Sequence, residues 1–144
     1  MSETEEVVGL VVAAHRDFGR EMVLAAEGIV GPMSGVTSVS IHYNHSLDEA
    51  TSMVQKAIDD TDRGKGVIVF TDMFGGTPTN VALSMLRKKT VEVVAGVNLP
   101  MLIKAHVARR TMGLEELAAF IKDYGARNII VAGEIFHCSL KETT

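Results

Sequence analysis

The chain has no tryptophan, two tyrosines and a single cysteine, Cys138. One cysteine excludes a disulfide framework and a cysteine-ligated zinc cluster, and with no base or cation beside it in sequence Cys138 is incidental; a reducing compartment is expected. Positive charge is not in excess. Fourteen Lys and Arg stand against eighteen Asp and Glu, a net charge of −4, which leaves no basic face for nucleic acid. Long hydrophobic runs are missing too: Val7 to Ala14 is broken by Gly9 and is far too short to span a bilayer. The residues before it, MSETEEVV, are acidic where a secretory leader would be basic, so a cytoplasmic protein is expected. No repeat, low-complexity tract or Pro/Ser-rich linker divides the chain, which is read as one domain over residues 1–144 with its core at about 7–136. What is present is an ordinary globular composition, 47% apolar and 22% charged, rich in Val, Ala and Met.

Apolar runs alternate with amphipathic stretches along nearly the whole length. Val7 to Ala13 is a β-branched run suited to a strand buried on both faces. A helix follows from about Phe18 to Ile29, with Phe18, Met22, Ala25, Ala26 and Ile29 as its apolar stripe and Gly31-Pro32 as its stop. Val39, Ile41 and Tyr43 alternate with polar residues in a second strand. Ser46-Leu-Asp-Glu49 is a capping box opening a helix whose buried stripe is Leu47, Ala50, Met53, Val54, Ala57 and Ile58. Val67 to Thr71 is a third strand, Pro78 to about Lys88 a helix, and Val91 to Ala95 a fourth strand. Pro100 to about Arg110 and Leu114 to Tyr124 are read as helices, the latter stopped by Gly125, and Asn128 to Ala132 as a last strand. This pattern predicts an α/β fold: an open, mainly parallel, doubly wound sheet of about four parallel strands plus a C-terminal edge strand, with helices on both faces. In such sheets ligands bind beyond the carboxyl ends of the strands, where strand order reverses. His15, Asp72 and Gly96 all fall just past predicted strand ends.

The stretch Phe70 to Asn80, FTDMFGGTPTN, carries the clearest chemistry. Thr77 is a good N-cap and Pro78 a good first helical residue, so a helix begins there with its free amides facing Gly75 and Gly76. Glycines at that place let the backbone turn tightly and approach a ligand, and the helix N-terminus favours an anion, most naturally a phosphoryl group. The lysine and spacing of a Walker A loop are absent. Asp72 would repel a phosphate, unless its task is to hold a histidine. An aspartate that accepts from one ring nitrogen fixes the tautomer and frees the lone pair of the other for attack. His15, at the end of the neighbouring strand, is the candidate nucleophile.

These residues resemble the IIA domain of the mannose type of the bacterial sugar phosphotransferase system. The resemblance covers about residues 7 to 136. It rests on the first strand ending in His15, on Thr71-Asp-Met-Phe-Gly-Gly-Thr-Pro78 with Asn80, and on Gly96-Val-Asn-Leu-Pro-Met101 after strand four. It implies a cytoplasmic phosphocarrier that takes a phosphoryl group from the phosphohistidine of HPr and passes it to a IIB component, here a separate chain. His15 matches the phosphorylated histidine, attacked at Nε2; Asp72 matches the carboxylate that orients it, and Thr77 a hydroxyl residue beside the phosphoryl group. Homodimers that exchange an edge strand, here Asn128 to Ala132, are implied as well. A IIA domain touches only proteins, so the sugar is chosen downstream.

Two positions depart from the pattern. Arg16 stands where relatives often have glycine; it could clasp the phosphoryl group, meet an acidic partner surface or be solvated. Thr79 replaces an aromatic residue common in transporter IIA domains. Met73 and Phe74 in the site loop are candidates for partner docking, with a core role open for Phe74. His42 and His45 have metal-pair spacing but no third ligand nearby in sequence, and neither a metal nor an organic cofactor is expected. His106 and His137 are read as solvated or core residues, and Met22, Met53, Met85 and Met101 as core filling. Two other functions stay open: a regulatory phosphoprotein signalling through His15 without sugar transport, and a passive anion-binding module in which His15 is never modified.

Overall fold

The computed structural model describes residues 5–136. Strands β1 (Gly9–His15), β2 (Val36–Ile41), β3 (Val67–Thr71) and β4 (Val91–Ala95) alternate with helices α1 (Phe18–Val30), α2 (Leu47–Thr61), α3 (Thr77–Ser84), α4 (Leu99–Ala108) and α5 (Leu114–Arg127). The strands form one parallel sheet in the order β2-β1-β3-β4. Every β1 residue except His15 is buried, as expected of a β-branched run covered on both faces. Side chains of a strand alternate between faces, and the core divides accordingly. Leu10 and Val12 pack with Val23, Leu102 and Ile121 under α1, α4 and α5. Val11 and Ala13 pack with Val54, Ile58 and Val81 under α2 and α3.

Some boundaries and faces differ from the sequence reading. β1 and β2 each lie about two residues from their expected places, and Tyr43 falls in the loop after β2, fully exposed. The buried face of α1 is Gly19, Val23 and Ala26, while Phe18, Ala25 and Ile29 are exposed. Gly19 explains the rotation. A Cβ there would lie 2.9 Å from Val12 Cγ1, so the helix sits on β1 through its smallest residue and turns the larger ones outward. α3 ends at Ser84 and tightens into a 3-10 turn, Met85–Arg87, instead of continuing to Lys88. Gly125 does not stop α5: it faces α4, where a Cβ would lie 2.3 Å from Met101 Cε, and the helix runs on to Arg127.

The expected edge strand from Asn128 to Ala132 is not formed. Residues 128–131 are turn and irregular chain, residues 132–136 are helical, and Ile129, Ile130 and Val131 are exposed. Among the described residues the outer edge of β4 carries no strand, and residues 128–131 do not turn back to pair with it, so the β-branched run has no hydrogen-bonded neighbour. Met85 and Met101 are buried and Met22 and Met53 half-buried against the core, in agreement with core filling. His106 is buried in α4. His137 and Cys138 lie outside the described residues.

The feature that matters most for function is the position of β1. It pairs with β2 on one side and β3 on the other, so the direction of strand succession reverses between β1 and β3. The crevice at that reversal opens beside the last residue of β1, His15, and the first residue after β3, Asp72.

Candidate functional site

His15 and Asp72 are joined by two hydrogen bonds. The His15 backbone amide donates to Asp72 Oδ2 at 3.0 Å, and His15 Nδ1 lies 2.8 Å from the same oxygen. The other carboxylate oxygen, Oδ1, accepts from the Met73 amide at 3.1 Å. Burial alone would raise the Asp72 carboxyl, but the His15 amide and ring outweigh it and hold the group below its ordinary value. An ionised Asp72 has only acceptors, so Nδ1 must be the donor; the ring proton sits there and the lone pair is on Nε2. The imidazole is about half exposed while the carboxylate is mostly covered, so the oriented nitrogen remains within reach of solvent.

Nε2 points at the glycine turn. A Cβ on Gly76 would lie 3.0 Å from His15 Cε1 and 3.2 Å from Nε2, and Gly75 and Gly76 both have positive φ, 91° and 84°. The turn therefore needs glycine for its conformation, and at Gly76 for the close approach of the ring as well. The N-cap of α3 is Gly76, with Thr77 as the first helical residue and Pro78 after it. This corrects the reading of Thr77 as the cap, and no side chain caps the helix. Its hydroxyl is thus not engaged in capping, on an exposed residue at the mouth of the crevice.

Thr71 and Thr79 organise this loop, a role that the sequence reading did not assign to either, although it noted Thr79 as a departure from the family pattern. Thr79 is fully buried; its Oγ1 donates to the Met73 carbonyl and lies 2.8 Å from Thr71 Oγ1, which is buried too. Because the Thr79 proton goes to Met73, Thr71 is the donor of that pair. The hydroxyls tie the end of β3, the loop and the first turn of α3 together. An aromatic residue at position 79 would not fit this arrangement. On the far side, the amides of Gly96 and Val97 both donate to the Thr71 carbonyl, at 2.9 and 3.0 Å, and Asn98 caps α4 by accepting from Met101 while donating to Gly125.

The surroundings of His15 are open and largely apolar. A hollow of about 690 Å³ runs from His15 and Arg16 along Phe18, Met22 and Ala25 to Leu99. Another of about 460 Å³ lies on the opposite side, between His15, Arg16, Ile41, His42, Tyr43 and Thr77. Met73 and Phe74 are exposed, 54% and 78%, which removes the core alternative for Phe74. His42 and His45 form an edge-to-face ring pair 5.4 Å apart, and the His42 amide donates to His45 Nδ1 at 2.9 Å, a local turn bond. The structure thus brings His15, Asp72, Gly76 and Thr77 to one crevice with Arg16 beside them, while Met73 and Phe74 stand on its exposed loop.

The family model for the EIIA-man family, described as the PTS system fructose IIA component, matches residues 9–122. The Escherichia coli (strain K12) protein YadI, by its name a phosphotransferase enzyme IIA component, is 30% identical over 124 residues, 85% of each chain. The fructose-specific EIIA component of Bacillus subtilis is 24% identical over 129 residues, covering 89% of this chain and 88% of that one. Among solved structures, the mannose/sorbose-specific IIA subunit from Enterococcus faecalis superposes with a TM-score of 0.78 at 28% identity, over 87% of this chain and 94% of its own.

Proposed function

The chain belongs to the EIIA-man family of phosphotransferase-system IIA components, and on that premise we propose that it is a phosphocarrier in which His15 holds the phosphoryl group. The observation that carries this reading is the bond from His15 Nδ1 to Asp72, 2.8 Å long, which leaves Nε2 as the nucleophile. Phospho-HPr is the donor. Nε2 attacks phosphorus in line as the P–N bond of the donor histidine breaks, and the donor nitrogen keeps that electron pair. Asp72 stabilises the positive charge that the His15 ring acquires. The amides at Gly75, Gly76 and Thr77 receive the phosphoryl oxygens. The reverse geometry delivers the group to a IIB component, so two proteins must reach one half-exposed imidazole in turn. Openness around His15 and the exposed Met73 and Phe74 fit that requirement. Relatives named for fructose and for mannose or sorbose support sugar transport over a purely signalling role.

The active form in this reading is a homodimer working in the cytoplasm. Among the described residues no helix is long and apolar enough to cross a membrane. Ile129, Ile130 and Val131 are exposed, and among the described residues the outer edge of β4 carries no strand, so exchange of residues 128–132 between two copies would cover both.

Intact mass after incubation with phosphoenolpyruvate, enzyme I and HPr tests the reading. One phosphoryl group on the wild type, stable in alkali, lost in acid and absent from His15→Ala, is the expected result. Labelling of His15→Ala at another histidine would sink the site assignment.

A further inference from the structure

Arg16 is the one non-glycine residue with a positive φ, +53°, among those described. Its amide donates to the Ile41 carbonyl at 2.9 Å, so the turn out of β1 is fixed to the end of β2. L side chains disfavour this backbone region, and glycine suits it best. A long cation kept in a glycine-type conformation directly after the candidate nucleophile asks for a functional reason. The surroundings provide one. Arg16 lines both hollows that flank His15, and among the described residues it is the only lysine or arginine lining either of them. The carboxylates nearby are Asp17 and Glu21 in the larger hollow and Asp72 behind the ring. A phosphoryl group arriving at Nε2 brings roughly −1.5 to −2 charges into this negative setting, and the glycine-turn amides offer only partial charges against it.

We propose that Arg16 is a catalytic residue for phosphoryl transfer, its guanidinium pairing with the equatorial phosphoryl oxygens as phosphorus passes to His15 Nε2; the proposal rests on the phosphocarrier reading. A guanidinium is charged at every working pH and offers a planar fork of donors matched to two oxygens. In the step itself the Nε2 lone pair forms the new P–N bond while the donor's P–N bond breaks and leaves its pair on the donor imidazole. His15 keeps its proton on Nδ1, hydrogen-bonded to the Asp72 carboxylate, the donor ring keeps its own N–H, and no proton is released. Arg16 moves no atoms. It stabilises the spread of charge on the three oxygens in flight, which is most of what a protein contributes to such a transfer.

The competing role is docking, in which Arg16 meets an acidic patch of the donor protein. Phosphoramidate separates the two because it transfers a phosphoryl group from nitrogen without presenting a protein surface. Glycine relieves the backbone at position 16, so Arg16→Gly is a variant that folds. With phosphoramidate, Arg16→Gly is expected to label at His15 about 10–100-fold more slowly than wild type, with Arg16→Lys in between. With phospho-HPr the same variants lower kcat and leave KM little changed. Wild-type rates of Arg16→Gly with phosphoramidate, together with a raised KM for phospho-HPr alone, would assign Arg16 to docking and overturn the proposal. Failure of the wild type to label with either donor would remove the phosphocarrier reading itself, and this proposal with it.

Discussion

Gly76 lies so close to His15 that a Cβ placed on it would stand 3.2 Å from Nε2. The candidate nucleophile and the glycine turn proposed to receive the phosphoryl group therefore already stand side by side before any donor arrives. Gly76→Ala is expected to abolish or nearly abolish phosphorylation, because the methyl group blocks Nε2. It also strains a residue held at φ 84°, ψ 169°, a backbone region open essentially to glycine alone, at a cost of about 1–3 kcal/mol. Gly75→Ala has a similar φ but open space around its Cβ, so it is expected to share the stability loss and retain more activity. Equal labelling of the two variants would count against this contact.

Asp72→Asn removes the charge that selects the His15 tautomer while keeping the volume. Phosphoryl transfer is expected to slow by about 10²-fold or more, as in other sites where a carboxylate orients a histidine. Rapid-quench measurement of the transfer rate from phospho-HPr checks this, and a rate within a factor of two of wild type would contradict it.

Thr79→Val keeps the shape of a buried side chain and deletes the hydroxyl between Thr71 and Met73. It is expected to cost about 1–3 kcal/mol in urea denaturation, because the buried Thr71 hydroxyl and the partly buried Met73 carbonyl lose their partner. Thr79→Ser should recover most of the loss. A variant as stable as wild type would show that the loop does not depend on this hydroxyl.

Acid should destabilise the fold in two steps. His106 is held below its ordinary value of 6.5 by burial and then by the Arg109 and Arg110 charges, so the unfolded chain takes up its proton first. Its contribution is present above pH 6.5 and is lost as pH falls from there towards the lowered folded value. Asp72 is also held low, so its contribution persists to more acidic pH and is lost only below its ordinary value of 3.8. His106→Asn is expected to flatten the decline that begins as pH falls through 6.5 and leave the lower step in place, as read by urea midpoints across pH. An unchanged upper step would contradict the assignment.

The exposed Ile130 lies in the segment proposed to pair with a second copy. Ile130→Asp should shift the protein towards monomer in sedimentation equilibrium, with labelling of His15 retained. A wild type that sediments as a monomer would end the exchange proposal.

Much of the fold was legible because its signals were local. β-branched runs marked four strands, and the Ser46 to Glu49 capping box is formed as read. The crevice followed from topology, since residues ending parallel strands at an order reversal have to meet. Long-range packing was harder to read. Of the expected stripe of α1, Ala26 is buried and Met22 half-buried, yet the tight contact of Gly19 with Val12 leaves Phe18, Ala25 and Ile29 exposed. Gly125 looked like a helix stop and is a contact with Met101. The pairing of Thr71 with Thr79 depends on a loop conformation that no spacing rule specifies. The run Ile129 to Val131 carries the composition of a strand but is irregular and exposed, because composition alone does not supply a paired neighbour.

The most direct test is to ask which nitrogen of His15 carries phosphorus, using ring-15N-labelled protein phosphorylated through HPr and observed by 15N and 31P NMR. Phosphorus on Nε2 with a proton on Nδ1 is the expected result, since Asp72 occupies Nδ1 at 2.8 Å. Phosphorus on Nδ1 would require that bond to be absent during transfer, and would contradict the orienting role of Asp72.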